Sequence, residues 1–349
     1  MPRLEPHFCF PRLSPTRHTT PMQKSRILQS CLPLLAACGL SLPARAVSPD
    51  AMMQELSKLG YDTQHPSLEH AAIEALARTL DPEAQVLDIP ARAELQKKLE
   101  GNDPDRKGSR TIDTPEEWAE GLCYVKVRGI HRDSRDLVSQ LKKWDADSKT
   151  GIIIDARAAA GTNLEGLKDI VNLFVTGKQP LFSVVTIDDK PVDVHPATDN
   201  GPTLSTPCIM IIDKETTAAA ELLAGILGHY DTLLLLGQAS SGDNRIRSFL
   251  EVDKKHSLYI GTQKTLIAKD TSYEETGVTP DIVVPIEKPK HKRADLNTES
   301  AGEAIREELQ QNQELLERIG DDHVLERASD ILLAVHALKT GSAHAGKDD

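Results

Sequence analysis

TPCIMIIDKETTAAAELLAGIL, at residues 206–227, joins a strand-like apolar run directly to a helical pattern. The run from Cys208 to Asp213 is short and apolar, which is typical of a buried strand. Thr217 then begins a segment, ending at Tyr230, that is rich in alanine and leucine and is predicted to be helical. A strand followed at once by a helix is the repeating unit of folds with parallel sheets.

The same alternation extends to both sides of this segment. Strands are predicted at 123–127, 151–156, 180–185, 208–213 and 232–237, and helices at 134–144, 164–175 and 217–230. Because strands alternate with helices, the sequence predicts an α/β fold with a largely parallel sheet. A more β-rich stretch is expected at 248–284.

Changes in composition divide the rest of the chain. Residues 50–100 are predicted to be helical from recurring apolar positions, and 101–114 are polar and rich in turn formers. Pro115 with two acids behind it predicts a helix start at Asp113 to Glu117. The predicted organisation is an export signal (1–46), an N-terminal helical segment (47–100), a linker (101–114), a core (115–290), and C-terminal helices with a polar tail (291–349), two helices being expected within 294–342.

The first 46 residues follow the pattern of a secretory signal peptide. A basic start precedes an apolar stretch, and Ala44-Arg45-Ala46 supplies the small residues of a cleavage site. Cleavage is expected after Ala46, which gives a periplasmic or secreted protein, and residues 1–21 are interpreted as translation from an upstream start codon. LAAC at 35–38 leaves a second interpretation open, a lipoprotein anchored at Cys38. The apolar stretch is too short for a good membrane span.

Charge and cysteine content narrow the classes of partner. Residues 47–349 carry 35 basic and 52 acidic side chains, so their surface repels phosphate backbones and nucleic acid is not expected as a partner. Outside the export signal only Cys123 and Cys208 remain, each within an apolar run. Neither has a neighbouring ligand at metal spacing, so no metal or other cofactor is predicted and the two are expected to be separate buried thiols, although export would permit a disulfide.

Several motifs, in order, resemble the C-terminal processing (tail-specific) serine peptidases. AAIEALARTLDPEAQVLD (71–88) resembles the helical segment that ends in Leu-Asp-Pro, and CYVKV (123–127) resembles the strand G-Y-I-R-I. GIIIDARAAAGTNLEGLKDIVNLFV (151–175) is similar to the segment carrying N-P-G-G, residues 206–227 to the nucleophile strand and helix, and GVTPD (277–281) to the closing G-I-x-P-D. The resemblance implies the ClpP/crotonase-like β-β-α core that interphotoreceptor-retinoid-binding proteins share, with an N-terminal helical segment and C-terminal helices.

The spacing between two of these motifs departs from the family. The family places a PDZ domain between the Leu-Asp-Pro helix and the G-Y-I-R-I strand. About 35 residues separate the two here, fewer than an ordinary domain needs. The PDZ domain is therefore expected to be absent.

The resemblance also locates three catalytic positions, all of which carry other residues here. Aligning ELLAG (221–225) places the serine nucleophile at Ala218, and aligning GQASSGD (237–243) places the lysine base at Asp243. The glutamine four residues beyond the lysine is Arg247. A serine needs a base within hydrogen-bond reach, and alanine has no atom that attacks a carbonyl. The sequence therefore predicts a catalytically degenerate homologue.

Part of the family's site consists of backbone donors, which do not depend on side chains. The resemblance assigns the oxyanion-hole N–H groups to Gly161 and Ala219, although the loop preceding Thr162 differs from N-N-P-G-G. Such donors could bind the carbonyl or carboxylate of a peptide. A peptide or protein is thus the expected ligand, while the oligomeric state is left open.

Two function classes follow from these residues. The first is a peptide-binding or regulatory protein of the cell envelope, and the second is an active serine-type peptidase with rebuilt catalytic residues. Thr216, Thr217, Ser240 and Ser241 are the candidates for the second class, but threonines before a helix are typical caps and serines beside glycine are typical turn formers.

The charges at Asp243 and Arg247 change in a complementary way relative to the family. A spacing of four residues brings two side chains to one side of either a strand or a helix. An ion pair between them is therefore predicted across the site. The alternative is an Arg247 that points outward and receives the carboxylate of a bound tail.

Overall fold

The computed structural model describes residues 48–63, 66–99, 111–130, 134–198, 203–285 and 322–345. The predicted export signal and the first of the two predicted C-terminal helices lie outside these residues. The chain divides into two compact units, residues 1–79 and 80–349.

The first unit contributes two helices, α1 (Pro49–Lys58) and α2 (Pro66–Leu80). Helix α1 begins where the sequence supplies a cap, because the Ser48 side chain accepts a hydrogen bond from the Ala51 amide and Pro49 fits the first turn. Both helices confirm the helical prediction for this part of the chain.

The second unit contains thirteen strands and five further helices among the described residues. The strands are β1 (Gln85–Asp88), β2 (Glu116–Glu117), β3 (Leu122–Lys126), β4 (Gly129–Ile130), β5 (Gly151–Asp155), β6 (Ala160–Gly161), β7 (Pro180–Thr186), β8 (Pro191–Pro196), β9 (Cys208–Ile212), β10 (Leu234–Gly237), β11 (Arg245–Glu251), β12 (His256–Ile267) and β13 (Ile282–Val283). The helices are α3 (Ile89–Leu99), α4 (Arg135–Ala146), α5 (Leu164–Val171), α6 (Ala218–His229) and α7 (His323–Ala345).

A six-stranded sheet in the order β13-β10-β9-β5-β3-β2 forms the centre of the core. All neighbours are parallel except β2, which pairs with β3 antiparallel. Its inner strands are almost wholly apolar because both faces are covered. Ile152 and Ile154 face the core formed with α4, α5 and α6, whereas Ile153 faces α7. This arrangement confirms the α/β fold.

A second, antiparallel sheet lies beside the first, in the order β1-β12-β7-β8, with β11 paired to β12. The predicted strand at 180–185 belongs to this sheet and not to the parallel one. Residues Gln85–Asp88 are a strand, so the prediction of helices throughout 47–100 is wrong there. These four residues have no helical periodicity of their own. They form a strand because each of them pairs with a residue of β12.

The predicted helix start at Asp113 to Glu117 is also wrong. Glu116 and Glu117 pair with Tyr124 and Cys123 of β3, and a single 3-10 turn (Ala119–Gly121) follows. Proline and acids are common at helix starts, but proline also suits the first residue of an edge strand. Because Glu116 and Glu117 pair with β3, this segment is an edge strand and not a helix start.

Cys123 and Cys208 are free and buried, as predicted. Both are paired laterally with Ile152, on opposite sides of β5. Two strand spacings of about 4.8 Å place them farther apart than a disulfide spans. Burial raises the pKa of each thiol to about 12. Among the described residues, no helix is long and apolar enough to cross a membrane.

Candidate functional site

Ala218, which the family resemblance assigns to the nucleophile position, stands at a sharp backbone bend. It is the first residue of α6 and has a φ of +52°, while Thr217 before it is extended. The left-handed region costs an alanine roughly 1–2 kcal/mol. The Thr217 amide donates to the Ala159 carbonyl at 2.9 Å and so ties the bend to the loop after β5. A strained turn from a strand into a helix exposes the nucleophile in other hydrolases, but an alanine side chain has no nucleophilic atom.

The loop in front of this bend is held by Asp213 and Thr216. The Asp213 carboxylate accepts hydrogen bonds from the Ala158 amide at 3.0 Å and from the Thr216 hydroxyl at 3.1 Å. The buried Thr216 hydroxyl also lies 2.9 Å from the Ala156 carbonyl oxygen. The Thr216 hydroxyl therefore has a structural role, because its hydrogen bonds support the loop.

Gly161 occupies a place that only glycine fits. Its φ is +138°, and a Cβ there would lie 2.3 Å from the Ile130 carbonyl oxygen. That oxygen accepts hydrogen bonds from the Thr162 and Asn163 amides, which fixes the loop against β4. Helix α6 packs against both β4 and β6. The fold therefore brings the loop of Gly161 to the end of α6 that carries Ala219.

The strain at Ala218 gives a stability prediction. Replacing Ala218 with glycine is expected to raise the free energy of unfolding by up to about 1 kcal/mol, because glycine tolerates positive φ. The control is Ala219→Gly, one residue on and in the regular helix, which should lower it by about 0.5–1 kcal/mol. Urea denaturation of both variants measures these opposite signs, and an equal loss in both would contradict the strained bend.

Glu221 connects α6 to the loop that carries Asp243. Its fully buried carboxylate accepts four hydrogen bonds, from the Ser240 and Ser241 hydroxyls and from the Gly242 and Asp243 amides. Burial raises the pKa of Glu221, and the four donors only partly offset this. The carboxylate therefore fixes where the loop, and with it Asp243, sits relative to the bend.

Substitution Glu221→Gln tests this role. The amide would present an NH₂ group to at least one of two backbone N–H donors, which cannot reverse, so we expect a loss of about 1–3 kcal/mol in the free energy of unfolding. Glu165→Gln is the control, since the Glu165 side chain is 75% exposed and the change should cost under about 0.5 kcal/mol. Equal losses on chemical denaturation would show that Glu221 does not organise the loop.

The predicted ion pair between Asp243 and Arg247 is confirmed. Arg247 Nη1 lies 2.7 Å from Asp243 Oδ2, and Arg247 Nη2 lies 3.0 Å from Asp243 Oδ1. Arg247 also donates to Asp81 through two bonds, from Nε at 2.9 Å and from Nη2 at 2.7 Å. The Arg247 side chain is only 10% exposed, so the alternative of an outward-pointing arginine is wrong.

The pair is one end of a longer series of charges. Acidic and basic side chains alternate, with nitrogen–oxygen separations between 2.6 and 3.5 Å. We call this series the charge network, and its members in order are Asp243, Arg247, Asp81, Arg245, Glu274, Lys264 and Asp189. It joins β11, β12, the turn before β13 and the β7–β8 turn to the segment after α2.

The surroundings of Asp81, Arg247 and Lys264 favour the ionised form of each. Burial alone would raise the pKa of Asp81, but the hydrogen bonds from Arg247 and the Gly261 amide lower it below the ordinary value. Burial likewise opposes the charge of Arg247, and its bonds to Asp81 and Asp243 raise its pKa. The bond to Asp189 raises the pKa of Lys264. A lysine in that state stays protonated and is a poor general base.

The two candidate serine nucleophiles have structural partners. Ser240 donates to Glu221 and accepts from the Val278 amide, and Ser241 donates to Glu221. Thr217 makes no side-chain cap bond to α6. Across the described residues, no group of three or more histidine, cysteine or carboxylate side chains is placed to hold a metal ion.

Known proteins share this core. Residues 121–284 match the profile of peptidase family S41. Over these residues the chain is therefore similar to the peptidases of that family. The carboxyl-terminal-processing protease of Picosynechococcus sp. is 20% identical over 262 residues, which are 75% of this chain and 61% of that protein. Carboxyl-terminal-processing peptidase 3 of Arabidopsis thaliana is 25% identical over 174 residues, 48% of this chain and 33% of that protein.

The same fold occurs among solved structures. A Parabacteroides merdae protein described as a peptidase aligns with a TM-score of 0.52 and 15% identity, over 84% of this chain and 91% of its own. At this identity the match shows the fold alone. The S41 relatives above share only a third to about three fifths of their length with this chain, so their activity is not transferred by the match.

Proposed function

We propose that this S41 homologue binds a peptide or protein and does not cleave it. The observation that carries the proposal is the charge network, which ends at the position that the family resemblance assigns to the lysine base. Asp243 is there a carboxylate with both oxygens bonded to Arg247, and such a carboxylate is a much weaker base than a neutral lysine. Ala218 supplies no hydroxyl from which to take one.

The scaffold around these positions supports a binding role. The bend at Ala218 and the glycine-only position at Gly161 support the assignment of an oxyanion hole to these two segments. Backbone N–H groups at a helix start attract carbonyl oxygens and carboxylates whatever side chains surround them. We therefore assign Gly161 and Ala219 to peptide binding.

The place of action follows from residues that the structure does not describe. The signal-like segment supports export to the periplasm or beyond, with cleavage after Ala46 or, as the alternative, lipid attachment at Cys38. We accordingly propose a binding or regulatory role in the cell envelope. The acidic balance of residues 47–349 supports a protein ligand over a nucleic acid.

Binding and cleavage are separated by one experiment. Purified protein is mixed with a pool of unstructured decapeptides and passed over a size-exclusion column. The masses of the peptides that elute with the protein are then measured by mass spectrometry. We expect bound peptides of unchanged mass. Shortened peptides would establish a peptidase with rebuilt catalytic residues. If no peptide elutes with the protein, the proposed peptide-binding role is wrong.

A further inference from the structure

Strand β8 is an outer strand of the antiparallel sheet. It pairs with β7 on one side, and within the described part of the chain no strand pairs with its other side. Five of its six residues are exposed, and only His195 is half-buried. An open strand edge of this kind offers unpaired backbone N–H and C=O groups to another chain.

The open edge of β8 is apolar at its centre and is bounded by prolines. Val192 and Val194 are 49% and 48% exposed. The Val194 amide donates to the Asp193 carboxylate at 2.7 Å and not to β7, so it faces the open side, where a second strand could accept from it. Pro191 and Pro196 begin and end the strand, which keeps the edge that can be paired short.

We propose that β8 pairs with the β8 of a second copy of this chain, antiparallel and centred on Val194. In this register the two Val194 residues exchange backbone hydrogen bonds across a two-fold axis. Asp193 of each copy stands opposite His195 of the other, and Val192 stands opposite Pro196. The same short strand thus supplies both halves of the interface, as a two-fold axis requires.

Charge selects this register over its neighbours. A centre at Asp193 would set two aspartates directly opposite each other, which destabilises a strand pair. A centre at His195 would set two imidazoles opposite each other and leave both aspartates without a partner across the axis. With the centre at Val194, an imidazole that can donate faces a carboxylate at both ends. The two side chains are suited to each other, since His195 Nε2 already lies 3.5 Å from Asp193 Oδ2 within one strand.

The pairing has consequences for the size and strength of the assembly. It joins the five-stranded sheets of the two copies into one continuous sheet. Each copy contributes a single short strand, which is far less than the roughly 800 Å² per partner of a standard interface. We therefore expect a reversible dimer with a dissociation constant of about 10–100 µM. The dimer does not depend on peptide binding.

Cysteine cross-linking on the full chain tests the register. Val194→Cys sets two thiols opposite each other with their Cα atoms about 5.5 Å apart, which a disulfide spans. Mild oxidation should convert most of this variant to a covalent dimer on a non-reducing gel. Val192→Cys is the matched control, because it is equally exposed but its two copies lie about 14 Å apart along the strands and should not cross-link. The unmodified protein reports the contribution of the chain's own cysteines, and equal cross-linking of both variants, or of neither, overturns the proposal.

Sedimentation equilibrium tests the dimer without a cross-link, from about 5 to 500 µM protein. The unmodified protein should become dimeric as its concentration rises. Val194→Pro removes the outward N–H at an edge where proline is tolerated, so it should weaken dimerisation at least about ten-fold. Val194→Thr keeps the amide and the branched shape and should dimerise like the unmodified protein. A monomer at every concentration overturns the proposal.

A charge exchange tests the pairing without a proline. His195→Asp sets like charges opposite each other and should weaken the dimer, and adding Asp193→Lys restores opposite charges and should recover it. His195 stacks on Phe182 at 4.4 Å, so circular dichroism first establishes that both variants are folded. Unchanged dimerisation in folded His195→Asp overturns the register. A monomeric unmodified protein that loses its bound peptides in Val194→Pro would overturn the dimer and assign this edge to a peptide strand.

Discussion

Replacing Arg247 with methionine is expected to lower the free energy of unfolding by about 3–5 kcal/mol. The substitution leaves Asp81, which is 2% exposed, without the two hydrogen bonds that offset its desolvation, and it also unpairs Asp243. Methionine keeps much of the volume of the side chain, so the loss reports the stranded charge and not a cavity. Urea denaturation followed by circular dichroism measures it.

An exposed arginine provides the control for this experiment. Arg128 pairs with Asp113 at 2.7 Å, but the two side chains are 66% and 40% exposed. Solvent screens such a pair, so Arg128→Met should cost at most about 1 kcal/mol. A loss in Arg247→Met no larger than this would show that the charge network contributes nothing beyond a surface pair.

The pH dependence of the two proteins should differ with a definite sign. The pKa of Asp81 lies below its ordinary value of 3.8 in the folded protein, so its contribution is present above 3.8 and lost as the pH falls through the lower value. In Arg247→Met the buried carboxylate keeps only the Gly261 and Glu83 amides and the more distant Arg245, so its pKa rises. The difference in stability between the proteins should therefore shrink towards acid pH, and a difference constant from pH 7 to pH 3 would contradict this.

The substitution Ala218→Ser is expected to leave the protein unreactive towards fluorophosphonates. Removing the nucleophile or its base from a serine peptidase costs about a million-fold in rate, and the two losses are not additive, so restoring one group alone recovers little. The position that the family resemblance assigns to the base holds a carboxylate paired with Arg247 instead of a neutral amine. Intact-protein mass spectrometry measures the adduct.

Ala219→Ser, one residue further along α6, is the matched control for that substitution. Its hydroxyl would lie in the buried first turn of the helix instead of at the bend. Both variants should show the unmodified mass after incubation. A stoichiometric adduct on Ala218→Ser but not on Ala219→Ser would mean that a base is present and that Asp243 is not the obstacle.

The sequence predicted the parallel sheet well because its strands carry their own signal. Runs such as GIIID and CIMII are buried on both faces and have no other stable environment than an inner strand. Strands β1 and β2 escaped prediction because they are two to four residues long and exist only through their partners. Gln85 pairs with Tyr259 across 174 positions, a relation that no local pattern contains.

The site was predicted in the same uneven way. The Asp243–Arg247 pair follows from a four-residue spacing and was found from the sequence, although a bulge between Ile246 and Arg247 shapes the strand there. Asp81 was missed as their partner because it lies 166 residues before Arg247. The signal was present in the Leu-Asp-Pro motif, whose aspartate had no assigned role. The buried Lys264 and its partners Asp189 and Glu274 had no local signal at all.

Peptide binding without cleavage is tested most directly on the unmodified protein. A twenty-residue unstructured peptide with a free C-terminus is incubated with the protein at equimolar ratio. Its mass is followed by a method sensitive enough to detect less than one cleavage event per protein molecule. We expect the peptide to remain intact throughout. Cleavage that scales with protein concentration and disappears in Thr217→Val would contradict it.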